Sequence, residues 1–245
     1  MRHCPRDDNV MISQARRTLD AVQTHREALQ VSSELTRWFR RAREPEMEWV
    51  TPEGVIAALH RAKINPVLMG THGLAGYRSE PRATQDVDVL VTKKDVFKAV
   101  RVLEQEYPYL EVHHGSVVVR MVNPATLKPM IDVMKPTSEL MRLVFRHTVR
   151  IGKTHRIPQL EMGLVSKFMA MTSPDRRDEK RMVDIGDFID IVKHNRAALD
   201  LEKLEHLAQL GQSGGGDRIL RMVADIDAGR RASLIAETGI RDDDE

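Results

Sequence analysis

Three aspartates carry most of the chemistry available to this sequence. Asp86 and Asp88 flank Val87 at the head of the apolar run Val87-Asp88-Val89-Leu90-Val91. Side chains two apart on a strand point to one face, so both carboxylates project together. Two carboxylates so placed repel each other unless a cation lies between them. Hard oxygen ligands suit Mg²⁺ or Mn²⁺ better than zinc. Asp132 interrupts a second apolar run, Met130-Ile131-Asp132-Val133-Met134, where a carboxylate is costly unless it faces a cleft or a partner. If this strand pairs beside the first, the three acids form a site that can hold one or two metals for in-line attack on a phosphoryl group. Gly70-Thr71 precedes Asp86 by fourteen residues. Glycine at the end of a strand lets backbone approach a phosphate closely, Thr71 adds a hydroxyl and an N–H, and a helix starting there would favour anions.

The elements that must position these residues follow from periodicity. Residues 9–44 read as helical, with unevenly spaced apolar positions (Met11, Ala15, Leu19, Val22, Leu29, Leu35, Trp38, Phe39) and no proline. Thr51 caps a helix opened by Pro52, with Val55, Ile56, Leu59 and Ala62 on one face. Val67-Leu68-Met69 is a short buried strand ended by Gly70, and residues 71–84 form a turn-rich connection. After the Asp86–Val91 strand, Thr92 and Asp95 resemble a helix-capping pair, with Val96, Phe97, Val100 and Leu103 as the apolar face. Two strands follow, Ser116 to Val122 and Lys128 to Met134, joined at Asn123-Pro124. His113-His114 has no partner at metal-ligand spacing and reads as loop. From Pro158 the pattern is helical: 159–172, 178–195, 200–210 and 217–228, the last two separated by Ser213-Gly214-Gly215-Gly216.

The predicted fold class is α+β: a helical arm over 1–45, a small mixed-sheet α/β unit over 46–158, a helical C-terminal domain over 159–228 and a polar tail over 229–245. Of 245 residues, 41% are hydrophobic and 30% charged, an ordinary globular balance. The net charge of +2 lacks the basic excess of a protein that wraps long nucleic acid. A single cysteine, Cys4, rules out an intrachain disulfide and disfavours cysteine zinc ligation. No run approaches the ~20 apolar residues of a bilayer span, and no signal-like apolar segment opens the chain, so no membrane partner is expected and the cytoplasm is the expected compartment.

The run Gly70-Thr71-His72-Gly73 … Arg82-Ala83-Thr84-Gln85-Asp86-Val87-Asp88 resembles the signature of nucleotidyltransferases of the DNA polymerase beta-like superfamily. There a glycine and a glycine or serine precede Asp-x-Asp in a hydrophobic strand; here Thr71 takes the second place and keeps the hydroxyl. The Arg82-x-Thr84-x-Asp86-x-Asp88 form is similar to AbiEii-type toxins of type IV toxin–antitoxin systems. Lys167, then Arg176-Arg177, then Asp184 and Asp187 are similar to the family's helical Lys … Arg … Asp-x-x-Asp segment. The resemblance covers about residues 50–195. It implies a metal-dependent transferase that moves a nucleoside monophosphate from an NTP (ATP or another) to an acceptor hydroxyl and releases pyrophosphate. Asp86, Asp88 and Asp132 would hold Mg²⁺ or Mn²⁺ and act in catalysis with Lys167. Gly70, Thr71, Arg82, Thr84 and Lys167 would bind the nucleotide. The acceptor would be tRNA or another RNA, and a cognate antitoxin protein would be a partner.

The residues leave other readings open. Lys167 could be a snorkelling lysine, Arg82 and Thr84 could brace the strand start, and Asp184 and Asp187 could pair with Arg176, Arg177, Lys180 or Arg181. His72 falls in the phosphate turn, where it could touch substrate. Arg142, Arg146, His147, Arg150, Lys153, His155 and Arg156 are either a solvated connection or a contact for RNA phosphates. A small-molecule nucleotidyltransferase of the aminoglycoside type, or a non-catalytic nucleotide-binding or interaction protein, are the alternatives for the whole chain.

Overall fold

The computed structural model describes residues 6–41 and 50–230, with side chains from residue 24 onward. Cys4, most of the polar tail and the side chains of Met11, Ala15, Leu19 and Val22 lie outside that range. The chain opens with α1 (Arg6–Arg41), then α2 (Pro52–Arg61) and the two-residue β1 (Val67–Leu68). The Thr51 hydroxyl accepts the Gly54 N–H at 3.1 Å, with Pro52 at the first helical position. This is the expected cap, and Val55, Ile56 and Leu59 are buried as the periodicity requires.

Next come α3 (Gly70–Leu74), β2 (Val87–Leu90), α4 (Val96–Glu106), β3 (Glu111–His114), β4 (Val118–Asn123) and β5 (Lys128–Met134). The five strands form one mixed sheet in the order β1-β2-β5-β4-β3. β2 and β5 run parallel, and their register sets Asp88 directly beside Asp132. The other three pairings are antiparallel. α5 (Glu139–Leu143) leads into a separate hairpin of β6 (Thr148–Ile151) and β7 (His155–Pro158), which packs against β1, α1 and α3.

The helical half then follows: α6 (Leu160–Met171), α7 (Asp178–Asn195), α8 (Leu201–Gly211) and α9 (Gly215–Asp227). α6 is buried nearly all round, from Leu160 and Met162 to Phe168 and Met171, because α7 and α8 pack on different sides of it. Its two buried charges are therefore paired: Glu161 accepts from Lys203 Nζ at 2.7 Å, and Lys167 is paired as described below. No helix among the described residues is long and apolar enough to cross a membrane.

Several sequence expectations change. His113 and His114 are not loop but lie in β3, an edge strand paired to β4; its mostly exposed polar side chains supply no apolar pattern to read. The connection 71–84 holds α3 and a 3-10 turn at Ala75–Tyr77. Thr92 does not accept a backbone N–H as a cap; its hydroxyl donates to Asp95 Oδ2 at 2.5 Å. The helix begins only at Val96, so its buried stripe is Val96, Ala99, Val100 and Leu103, and Phe97 is 81% exposed. The stretch 142–156 is not a connection without structure: it runs from the end of α5 through the β6–β7 hairpin, and none of its basic side chains is buried.

α1 is amphipathic in the reverse sense. Its inner face buries His25, Leu29, Ser32, Ser33, Thr36 and Arg40, while Val31, Leu35 and Trp38 are exposed. The corrected face of α4 gives a direct check by urea unfolding. Leu103→Ala should cost about 2–5 kcal/mol, whereas Phe97→Ser should stay within about 0.5 kcal/mol of the parent. Equal losses would restore Phe97 to the core.

Candidate active site

The β1–α3 turn is built around Asp88. The Met69 N–H donates to the Asp88 carbonyl at 2.8 Å, and Gly70 then turns with φ +58°. A Cβ on Gly70 would overlap the Asp88 carboxylate, so both conformation and space demand glycine. Gly73 is equally constrained, since a Cβ there would overlap the Leu68 carbonyl. The glycines read from the sequence as a phosphate turn thus also let α3 sit against the strand that carries the acids.

Asp86, Asp88 and Asp132 each present a carboxylate oxygen within 4.8 Å of the other two. Asp86 stands just before β2, and the Thr84 hydroxyl donates to its Oδ1 at 3.0 Å. Burial, followed by the charges of Asp86 and Asp132, pushes the Asp88 carboxyl well above the usual carboxylate range. Burial also raises Asp132, against the opposing pull of Arg120. Arg120 stands opposite Asp132 on β4, with Nε donating to Oδ1 at 3.0 Å and Nη2 to Oδ2 at 3.1 Å. The sequence reading missed Arg120, although a lone arginine inside a valine-rich strand was its signal.

These acids form one wall of a cavity of about 490 Å³, and Gly70, Thr71, Arg82 and Thr84 also line it. Across it, α6 and α7 contribute Ser166, Lys167, Lys180 and Asp184, with Arg176 from the segment between them. The residues expected to hold metal or nucleotide, Gly70, Thr71, Arg82, Thr84, Asp86, Asp88, Asp132 and Lys167, therefore all line one cavity. His72 does not. It is 2% exposed, its Nδ1 lies 3.0 Å from the Ser32 hydroxyl, and burial lowers its pKa to about 4. None of the basic cluster from Arg142 to Arg156 lines the cavity either.

An ion network centred on the buried Asp184 and Asp187 forms part of this side of the cavity. Lys167 Nζ donates to Asp184 Oδ1 at 2.8 Å and to Asp187 Oδ2 at 2.7 Å. Arg176 Nε donates to Asp184 Oδ2 at 2.8 Å. Arg82 spans both oxygens of Asp187, at 3.0 and 2.8 Å, and Arg78 also donates to Asp187. Lys167 is thus no snorkelling lysine, and Arg82 ties the segment before β2 to α7. Of the four partners considered for Asp184 and Asp187, Arg176 is the one found; Lys167, Arg82 and Arg78 supply the rest.

No protein-family model and no curated protein matches the chain. Among solved structures it is similar to an antigenic nucleotidyltransferase-like protein from Paracoccidioides brasiliensis, at 20% identity over 57% of this chain and 73% of that one, with a TM-score of 0.38. It is similar to ANT(2")-Ia in complex with adenylyl-2"-tobramycin, at 13% identity over 63% and 91% of the two chains and a TM-score of 0.42. Terminal uridylyl transferase 4 from Trypanosoma brucei with bound GTP gives 15% identity over 71% and 58%, with a TM-score of 0.30. Likeness of this extent assigns no activity, so function has to come from the site itself.

Burial opposes ionisation of Asp187, but the hydrogen bonds and charges of Arg82 and Lys167 outweigh it and hold its pKa at about 2. A depressed carboxylate stabilises the fold fully above its unfolded pKa, near 4, and loses that contribution as pH falls toward 2. The contribution is about 2 kcal/mol. Asp187→Asn should lower stability at neutral pH, by roughly 3–5 kcal/mol for breaking a buried pair, and flatten the loss between about pH 4 and 2 in acid titrations followed by circular dichroism. An unchanged acid limb would show that the network does not hold Asp187 ionised.

Proposed function

We propose that this chain is a divalent-metal-dependent nucleotidyltransferase. The observation that carries the proposal is the β2–β5 register, which places Asp88 beside Asp132 and, with Asp86, converges three carboxylates on a cavity of about 490 Å³. The donor set fits Mg²⁺ or Mn²⁺: all-oxygen, anionic and mutually repelling, with the Asp88 carboxyl pushed up by burial and then by the charges of Asp86 and Asp132. Asp132 can serve a metal while bonded to Arg120, because an ionised carboxylate offers about four acceptor positions. When bound, the metal would polarise the α-phosphate and offset its charge.

The chain's own residues supply the rest. Gly70 and Thr71 bring backbone and a hydroxyl to the β- and γ-phosphates, and Arg82 and Thr84 brace that wall. Lys167, which donates two of its three N–H bonds to carboxylates, neutralises the triphosphate together with Arg176 and Lys180. The acceptor hydroxyl attacks the α-phosphate, the bond to the β-phosphate breaks and pyrophosphate leaves. Asp132, with its raised pKa, either completes the metal site or takes the hydroxyl proton; Asp187, at about 2, is too weak a base for that step. In this reading residues 46–158 carry the chemistry and residues 159–228 close over the nucleotide.

For the acceptor we propose RNA, with tRNA first, and a toxin role countered by an antitoxin. This rests on the Arg82-x-Thr84-x-Asp86-x-Asp88 resemblance and on the cationic wall of Lys167, Arg176 and Lys180. That wall suits polyanions and is ill matched to a polycationic aminoglycoside. A binding-only scaffold would have no need of all three acids. The test is transfer from α-labelled ATP, CTP, GTP and UTP with Mg²⁺ into total RNA and cell protein. Label should enter RNA, and Asp86→Asn should reduce it on the order of 10²-fold or more while circular dichroism stays native. Undiminished transfer by that variant would refute the assignment, and label in protein alone would replace the RNA acceptor.

A further inference from the structure

The segment that leads into the acids has little structure of its own. Residues 82–85 belong to no helix or strand, and outside helices and strands no backbone–backbone hydrogen bond among the described residues involves them. The Ala83 carbonyl accepts from Arg82 Nη1 at 3.0 Å, and α1 supplies bonds to the backbone of the other three. The Ser32 hydroxyl donates to the Arg82 carbonyl at 2.8 Å. The Thr36 hydroxyl accepts the Thr84 N–H at 3.1 Å and donates to the Ser32 carbonyl at 2.8 Å. Arg40 donates through Nη2 to the Gln85 carbonyl and through Nη1 to the Val50 carbonyl, the latter at 3.1 Å.

Residues 32, 36 and 40 are four apart and so form one stripe along the helix. They are 0%, 3% and 6% exposed. Each bonds a different backbone atom of the four residues preceding Asp86. From there the chain of contact is short, because the Thr84 hydroxyl donates to Asp86 Oδ1 at 3.0 Å. Polar groups buried in this way stay bonded or cost stability, so the stripe can hold the segment in only one place.

We infer that Ser32, Thr36 and Arg40 are positioning residues: through the backbone of 82–85, α1 fixes Asp86 and thereby sets the affinity of the three-aspartate site for its divalent cation. The N-terminal helix is a working part of the site although none of these three side chains lines the cavity. Groups that orient a metal ligand typically change metal affinity by 10–100-fold when removed. The inference rests on the proposed metal site, and the experiment separates the two.

Mn²⁺ binding to the full chain is titrated by electron paramagnetic resonance for the parent, Asp86→Asn, Thr36→Val and Thr36→Ser, with metal-free thermal melts alongside. Asp86→Asn should lose the site. Thr36→Val, which removes the acceptor for the Thr84 N–H, should weaken binding by about 10–100-fold, and Thr36→Ser should bind as the parent does. A packing role alone would lower the melting temperature and leave Mn²⁺ affinity where it was. If Thr36→Val does not fold, Ser32→Ala reads the same stripe at its other end. Parent-like binding by the folded Thr36→Val or Ser32→Ala, or equal weakening in Thr36→Val and Thr36→Ser, overturns the inference while leaving the metal site standing. Asp86→Asn binding as tightly as the parent overturns both.

Discussion

Everything in this structure adjusts to two parallel strands that set Asp88 beside Asp132. A parallel register holds neighbouring side chains on the same face at strand spacing, and here both are carboxylates with Asp86 close by. Left alone the cluster is unfavourable: burial first, and the charges of Asp86 and Asp132 second, push the Asp88 carboxyl up. The surroundings answer locally: Arg120 takes Asp132 from the next strand, Thr84 donates to Asp86, and Gly70 leaves room for Asp88. A divalent cation would complete the compensation that these neighbours begin.

The opposite wall shows the complementary arrangement. Its cations would repel one another, and Asp184, which also lines the cavity, and Asp187 are their fixed counterions, each bonded to several donors. The result is a pocket with an acid side and a base side, both held by hydrogen bonds and ion pairs within the protein. Anchored charge needs no rearrangement when a charged substrate arrives, which is the condition under which electrostatic stabilisation is most effective. The same network joins α6, α7 and the segment 78–84, so the base side and the approach to the acid side are mechanically one unit.

Much of this was legible in the sequence because it depended on local rules. Alternation put Asp86 and Asp88 on one face, an acid in an apolar run marked Asp132, and a threonine–proline pair marked the start of α2. The four C-terminal helices were visible from periodicity. What was hidden depended on tertiary pairing. β3 has exposed polar side chains and owes its existence to β4. The β6–β7 hairpin looked like a basic connection because Arg150, Lys153, His155 and Arg156 are crowded into so short a stretch. Lys167 was recognisable as unusual, yet its partners lie 17 and 20 residues away. α1 was the least readable, because over residues 24–41 its buried face is mostly polar while Val31, Leu35 and Trp38 face outward; amphipathic pattern alone points that stretch the wrong way round.

The central claim is that Asp86, Asp88 and Asp132 form a site for a divalent cation. It is tested most directly by crystals grown with Mn²⁺ and a non-hydrolysable nucleoside triphosphate, measured where manganese scatters anomalously. The account predicts an anomalous peak bonded to oxygens of these three aspartates, with the triphosphate running toward Arg176 and Lys180. Crystals that hold the nucleotide but show no manganese at the aspartates, or manganese bound elsewhere, would contradict it.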